Sequence, residues 1–238
     1  VWVLDMRGAV SGQPSHVHEV TFEEEIYEVD LGSNCDFDTK TVRLGYSSMV
    51  TPYQWIEYSP DNRSKRVIKQ KQVPNYDPTK YSTKRFYSKA RDGTMIPLSA
   101  LWRKDLCGDD LDALDAPHPV YLYGYGSYGT CLDPSFSYGV LTLVDRGMIY
   151  VIAHIRGGGE MGRHWYEEQG KYLTKKNTFT DFCDVAEDLV DNKRWTTGQQ
   201  MATEGRSAGG LLMGNILNMR PDLFRVAVAG VPFVDLMV

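Results

Sequence analysis

The segment Glu204-Gly205-Arg206-Ser207-Ala208-Gly209-Gly210 sets one hydroxyl between two glycines, with Met201-Ala202-Thr203 before it and the apolar Leu211-Leu212-Met213 after it. A strand, a G-x-S-x-G turn and a helix in that order seat the serine on a strained elbow, its hydroxyl exposed above a parallel sheet. Gly205 and Gly209 fit a place where two backbones pass too closely for a Cβ. The N–H groups at the start of the following helix favour negative charge beside the serine. Ser207 is therefore the candidate nucleophile of an acyl transfer, and the Ala208 N–H a candidate donor to the oxyanion. The plain alternative is a glycine-rich turn that happens to carry a serine. The β-forming residues before it, and Pro221 closing a helix of suitable length after it, favour the elbow.

A tetrahedral acyl intermediate concentrates charge on one oxygen and needs two donors near it. The loop Tyr123-Gly124-Tyr125-Gly126-Ser127-Tyr128-Gly129 follows an apolar run, and in α/β-hydrolases the loop after the third strand supplies part of the oxyanion hole. A tyrosine hydroxyl from this loop could serve; equally, the rings could merely pack on glycine turns. The same loop and the one at Gly157, Gly159 and Gly162 match G-x-G-x-x-G literally, which makes a dinucleotide-binding protein the rival reading. That fingerprint requires a helix opening at once and an acid about 20 residues on, at the end of the next strand. Thr130-Cys131-Leu132-Asp133-Pro134 cannot open a helix cleanly, and Asp181 falls within a helical stripe, so both matches fail and no nucleotide or other cofactor is expected.

The elements that would position this chemistry fall into two textures. Residues 1–72 read as short antiparallel strands: Val17 to Phe22, Thr41 to Met49, and Gln54 to Tyr58 with Arg66 to Lys69 around a turn-rich loop. Val1 to Asp5 also looks like the middle of a strand. Tyr46-Ser47-Ser48 and Glu23-Glu24-Glu25 read as solvated loop or edge positions. Residues 73–80, with two prolines in a polar stretch, form a linker. Residues 81–238 alternate β and α: a hairpin of Arg85 to Ala90 and Met95 to Trp102 about an Asp-Gly turn, buried strands at Val120 to Tyr123 and Met148 to Ile155, and a helix over Phe179 to Val190. Strand Met201–Thr203, helix Ala208–Met219 and strand Val226–Ala229 complete the series, giving an α/β fold with a mainly parallel sheet.

The chain has 238 residues, 42% apolar and 24% charged, with a net charge of -5. That composition suits a soluble globular protein, and its sign argues against nucleic acid or an anionic membrane as partner. No apolar run reaches the ~20 residues that span a bilayer. The cysteines Cys35, Cys107, Cys131 and Cys183 have no metal-ligand spacing; they suit a reduced, cytoplasmic protein with neither disulfide framework nor structural zinc.

Three motifs together, Tyr121-Leu122-Tyr123-Gly124-Tyr125-Gly126, Ile155-Arg156-Gly157-Gly158-Gly159-Glu160 and Gly205-Arg206-Ser207-Ala208-Gly209-Gly210, resemble in order and spacing the prolyl oligopeptidase family of serine peptidases. Alanine after the serine looks like the oligopeptidase B branch of that family, since prolyl oligopeptidase itself carries Asn there. The resemblance covers essentially the whole chain, and it implies an α/β-hydrolase fold preceded by the last part of a β-propeller. It implies Ser207 as nucleophile, with the Tyr125 hydroxyl joining the Ala208 N–H at the oxyanion. It also implies short peptides as substrates, cut after Arg or Lys, with the acids that select the basic residue placed C-terminal to Val238.

No histidine follows Ser207, although the α/β-hydrolase order is Ser, then Asp or Glu, then His. His16, His18, His118, His154 and His164 all precede it and are expected to be packed or surface residues, and of the later acids Asp222 and Asp235 neither is assigned. The expectation is a central fragment of a serine endopeptidase, inactive alone, with Val226–Ala229 an unprotected edge and low solubility in isolation. A carboxylesterase, an acylaminoacyl-type peptidase or a non-catalytic propeller-plus-hydrolase binding protein are the other readings.

Overall fold

The computed structural model describes residues 1–6 and 12–235, and the contacts among them divide the chain into two units. The first comprises residues 1–78 with 134–136, the second residues 79–133 with 137–238.

In the first unit, β1 (Trp2–Asp5) pairs antiparallel with β2 (His16–Glu19). Strands β3 (Glu28–Leu31), β4 (Val42–Ser47), β5 (Gln54–Ser59) and β6 (Ser64–Gln70) form an antiparallel meander in sequence order. A four-stranded meander is the kind of sheet from which propeller blades are built. Val20, Leu44, Tyr46, Ile56 and Tyr58 form its core, and Phe22 stacks on Tyr46 at 4.5 Å.

Tyr46, Ser47 and Ser48 are buried rather than solvated. β4 is an interior strand, so it has no solvent edge, and small polar residues there turn to local partners. The Ser47 hydroxyl donates to the Thr51 carbonyl, and Ser48 Oγ accepts from the Val50 and Thr51 N–H groups. Glu24 also departs from the solvated reading. Its Oε1 accepts from the Tyr46 hydroxyl at 3.0 Å and from Thr51 Oγ1, while Glu23 and Glu25 remain exposed. Strand β2 ends at Glu19, short of the expected Phe22.

The second unit is built on one six-stranded sheet. A hairpin of β7 (Tyr81–Lys89) and β8 (Met95–Arg103) turns at Gly93, whose φ of 89° belongs to glycine. The short helix α1 (Lys104–Cys107), strand β9 (Val120–Tyr123), helix α2 (Tyr138–Val144) and strand β10 (Ile149–Ala153) follow. After them come α3 (His164–Glu167), α4 (Lys176–Asp191), β11 (Met201–Arg206), α5 (Ala208–Met219) and β12 (Val226–Gly230). The strand order is β12-β11-β9-β10-β8-β7. The first four strands in that order are parallel, and β8 joins β10 antiparallel. Every residue of β10 is buried, as expected of a strand covered on both faces. It is shorter at both ends than the Met148 to Ile155 run suggests.

Helix α4 buries Phe179, Phe182, Val185, Ala186 and Leu189 on the expected stripe. It begins at Lys176, three residues before the apolar pattern does. Its buried face also carries Asp181 and Asp184, each paired with arginine. Arg156 donates through Nε to Asp181 at 2.8 Å and through Nη1 to Asp92 at 2.6 Å. Arg91 forks onto Asp184, with Nη2 to Oδ1 at 2.6 Å. Through Arg156, the turn of the β7–β8 hairpin, the loop after β10 and the flank of α4 become one rigid block.

Candidate active site

Ser207 lies between β11 and α5 at φ 57° and ψ −115°, and it is exposed. A non-glycine residue there is strained and persists only where its surroundings hold it. They do so from both sides: the Ser207 N–H donates to the Gly230 carbonyl at 2.9 Å, and the Ser207 carbonyl accepts from Gly210 N–H at 2.8 Å. A Cβ on Gly205 would collide with the Gly209 carbonyl oxygen, so the elbow closes only with glycine there. Ala208 opens α5, and the first N–H groups of a helix have no partner within it.

The tyrosine loop reaches this elbow. β9 and β11 are parallel neighbours, with Tyr123 opposite Glu204, so the residues after both emerge at the same end of the sheet. The Tyr125 ring packs on Gly209, its Cδ2 3.3 Å from where a Cβ would stand. Burial, and then the neighbouring Tyr128, push the Tyr125 phenol above its ordinary range, so at neutral pH it keeps its proton and can donate. The chain just beyond is locked to the second glycine loop: Gly129 N–H donates to the Gly157 carbonyl at 2.9 Å. Thr178 Oγ1 of α4 donates to the Arg156 carbonyl at 2.7 Å.

Beside the elbow is a cavity of about 160 Å³, lined by Ala208 and Leu211 of α5, by Tyr128, Tyr166, Tyr172 and Phe233, and by Lys171 and Lys175. No carboxylate is among its lining residues. Sequence reasoning missed Lys175, because a lysine in the polar run Lys171 to Asn177 reads as solvated. Its Nζ is instead turned inward, 2.5 Å from the Gly126 carbonyl, 2.9 Å from Ser127 Oγ and 3.2 Å from Thr178 Oγ1.

The histidines of the second unit are engaged elsewhere. His154 is buried, with Nε2 2.7 Å from Ser99 Oγ and Nδ1 3.3 Å from Glu160. His118 Nδ1 lies 3.7 Å from Cys107 Sγ, and His164 packs edge-on against Trp165. Asp181, the acid a dinucleotide site would have used, is committed to Arg156. Among the described residues no group of three or more His, Cys, Asp or Glu is placed to hold a metal, and no helix is long and apolar enough to cross a membrane.

A mainly parallel sheet with helices between its strands, and a strained, exposed serine on a strand-to-helix elbow, define an α/β-hydrolase. Residues 134–238 match the profile of the prolyl oligopeptidase family. Dipeptidyl aminopeptidase BI of Pseudoxanthomonas mexicana is 44% identical over 219 residues, 92% of this chain and 29% of the relative. Protease 2 of Moraxella lacunata is 38% identical over 223 residues, 93% of this chain and 31% of the relative. The structure of oligopeptidase B from Leishmania major superposes with a TM-score of 0.86 at 51% identity, covering 94% of this chain and 30% of that one. Over nearly its whole length this chain is similar to these peptidases, and it spans about three tenths of their length.

Proposed function

We propose that this chain carries the nucleophile and the oxyanion donors of a serine oligopeptidase. The observation that carries the reading is Ser207 held exposed at φ 57° with the Tyr125 ring packed two residues along the elbow, on Gly209. Ser207 Oγ attacks the scissile carbonyl carbon, forming a C–O bond while the carbonyl π pair moves onto oxygen. The Ala208 N–H and the Tyr125 hydroxyl donate to that oxyanion. Its collapse expels the amine, whose nitrogen takes the former serine proton from the base that received it, and leaves an acyl ester on Ser207, which water hydrolyses.

The serine proton needs a base, because a hydroxyl is a poor nucleophile while protonated. Among the described residues of the second unit no histidine bonds the Ser207 hydroxyl. The reading therefore takes an imidazole and its orienting acid from outside residues 1–238, and those residues alone should hydrolyse nothing.

The substrates we propose are short peptides, with Arg or Lys before the cleaved bond. Tyr128, Tyr166 and Tyr172 line the cavity, but Lys171 Nζ already stands over the Tyr166 and Tyr172 rings, 5.1 and 5.3 Å from their centroids, and Lys175 adds a second cation that opposes a basic side chain. A basic preference consequently requires carboxylates beyond the cavity lining seen here. Comparing Arg, Lys, Pro and Phe at that position, and a matched ester, separates this reading from a post-proline peptidase and an esterase.

The test uses the complete polypeptide that contains this chain. Ser207→Ala should lower kcat by several orders of magnitude with KM nearly unchanged, since the hydroxyl acts only in the transition state. Turnover retained in Ser207→Ala rejects the assignment.

A further inference from the structure

Lys175 is a cation in an unusual setting. It stands at the start of α4, half-buried, and its ammonium faces the Gly126 carbonyl, Ser127 Oγ and Thr178 Oγ1, all neutral acceptors. Among the described residues no carboxylate pairs with it. The Phe179 ring face, 5.7 Å from Nζ, adds a weak attraction, and the charged groups around the ammonium add none. Lys171 on its own segment is another cation, Tyr128, Tyr166 and Tyr172 are neutral phenols, and α5 presents Ala208 and Leu211. A buried charge without a counter-ion weakens a fold, so a purely structural role would be better served by a neutral side chain. Two of its partners, Gly126 and Ser127, directly follow Tyr125 in the chain. Gly126 itself has a φ of 64° and no room for a Cβ, which would strike Thr178.

We propose that Lys175 is a positioning residue for the reaction: it clamps the two residues after Tyr125, holding that hydroxyl in place, and it brings a fixed positive charge to the cavity wall shared with Ala208, where the oxyanion forms. The inference rests on the serine peptidase reading above. The mechanism is electrostatic preorganisation: the donors are fixed before charge develops, and a cation in a partly dry site acts on that charge more strongly than it would in water.

Burial also pulls the Lys175 ammonium down to about 8. On the alkaline side the cation is lost close to working pH, and the rate should fall with it. An arginine at the same place stays protonated far above that pH.

The experiment compares kcat and KM across pH 6–10 for the complete polypeptide and its Lys175→Met, Lys175→Arg and Ser207→Ala variants, on one short arginyl peptide. Lys175→Met should lose roughly 10-fold to 100-fold in kcat, less than the direct loss of an oxyanion donor, with KM within about twofold. The alkaline fall in kcat near pH 8 should be present in the wild type and absent from Lys175→Arg. A Lys175→Met variant with wild-type kcat overturns the proposal, as does a loss confined to KM or an alkaline fall unchanged in Lys175→Arg. Should Lys175→Met fail to fold, the pH profile of Lys175→Arg decides alone. Turnover surviving in Ser207→Ala would instead sink the peptidase reading itself, so the two failures are distinct.

Discussion

A serine at φ 57° and ψ −115° stores strain that free packing would relax, and the two hydrogen bonds of its backbone to Gly230 and Gly210 are what prevent it. The same conformation leaves Ser207 exposed at the entry to α5. Tyr125 completes the picture at this scale. If its hydroxyl serves the oxyanion, Tyr125→Phe should lower kcat by roughly 10²–10³ without changing KM, because phenylalanine keeps the packing on Gly209 and loses only the donor. Steady-state kinetics on a short peptide checks this, and an unchanged kcat removes Tyr125 from the mechanism. Ser207 was legible because its glycines and flanking strand and helix repeat a known geometric need. Lys175 was not, because spacing cannot show that a lysine among lysines turns inward. Tyr46 to Ser48 were misread for a related reason: burial of small polar residues depends on a strand's place in its sheet, and local composition does not carry that.

At the scale of elements, the site depends on how the loops after β9 and β10 are tied to α4. Arg156 is the knot, joined to Asp181 on the helix and to Asp92 at the hairpin turn. Asp92 is held down at about 2: burial works against its charge, but the Thr94 N–H and the Arg156 guanidinium overcome that cost. Because its folded value lies below the ordinary carboxylate value of roughly 3.9, the stabilisation is complete above that pH and fades as pH falls through about 2. The difference in denaturant midpoint between wild type and Asp92→Asn should therefore be largest near pH 5 and shrink toward pH 2. A gap independent of pH would show that the pair contributes nothing through charge. The helices themselves were readable where apolar periodicity is continuous, as in α5, whose bounds match the sequence expectation residue for residue. The start of α4 was hidden because Lys176, Asn177 and Thr178 carry no apolar signal. β3 was hidden because Glu28-Val29-Asp30-Leu31, although it alternates, is only four residues long with acids at two of them, and at the edge of its meander it leaves Leu31 68% exposed.

For the molecule as a whole, the sheet of the second unit has an open side. β12 is an edge strand, and Val226 and Val228 are about half exposed, at 53% and 50%. Unpaired backbone beside apolar side chains is a template for association. A chain of residues 1–238 alone should scatter light at micromolar concentration, and Val228→Lys should reduce the scattering. A monodisperse wild-type chain would contradict this. The α/β character was legible from alternating apolar strands and helices. The order in which the strands assemble was not, since β9, the first parallel strand in the chain, ends up between β10 and β11, and only packing decides that. The central claim concerns one oxygen atom, and it can be tested without choosing a substrate. Treating the complete polypeptide with a fluorophosphonate and mapping the adduct by peptide mass spectrometry should place a single covalent phosphonyl group on Ser207, lost in Ser207→Ala. An unmodified Ser207 in an enzyme that still hydrolyses peptides would contradict the account.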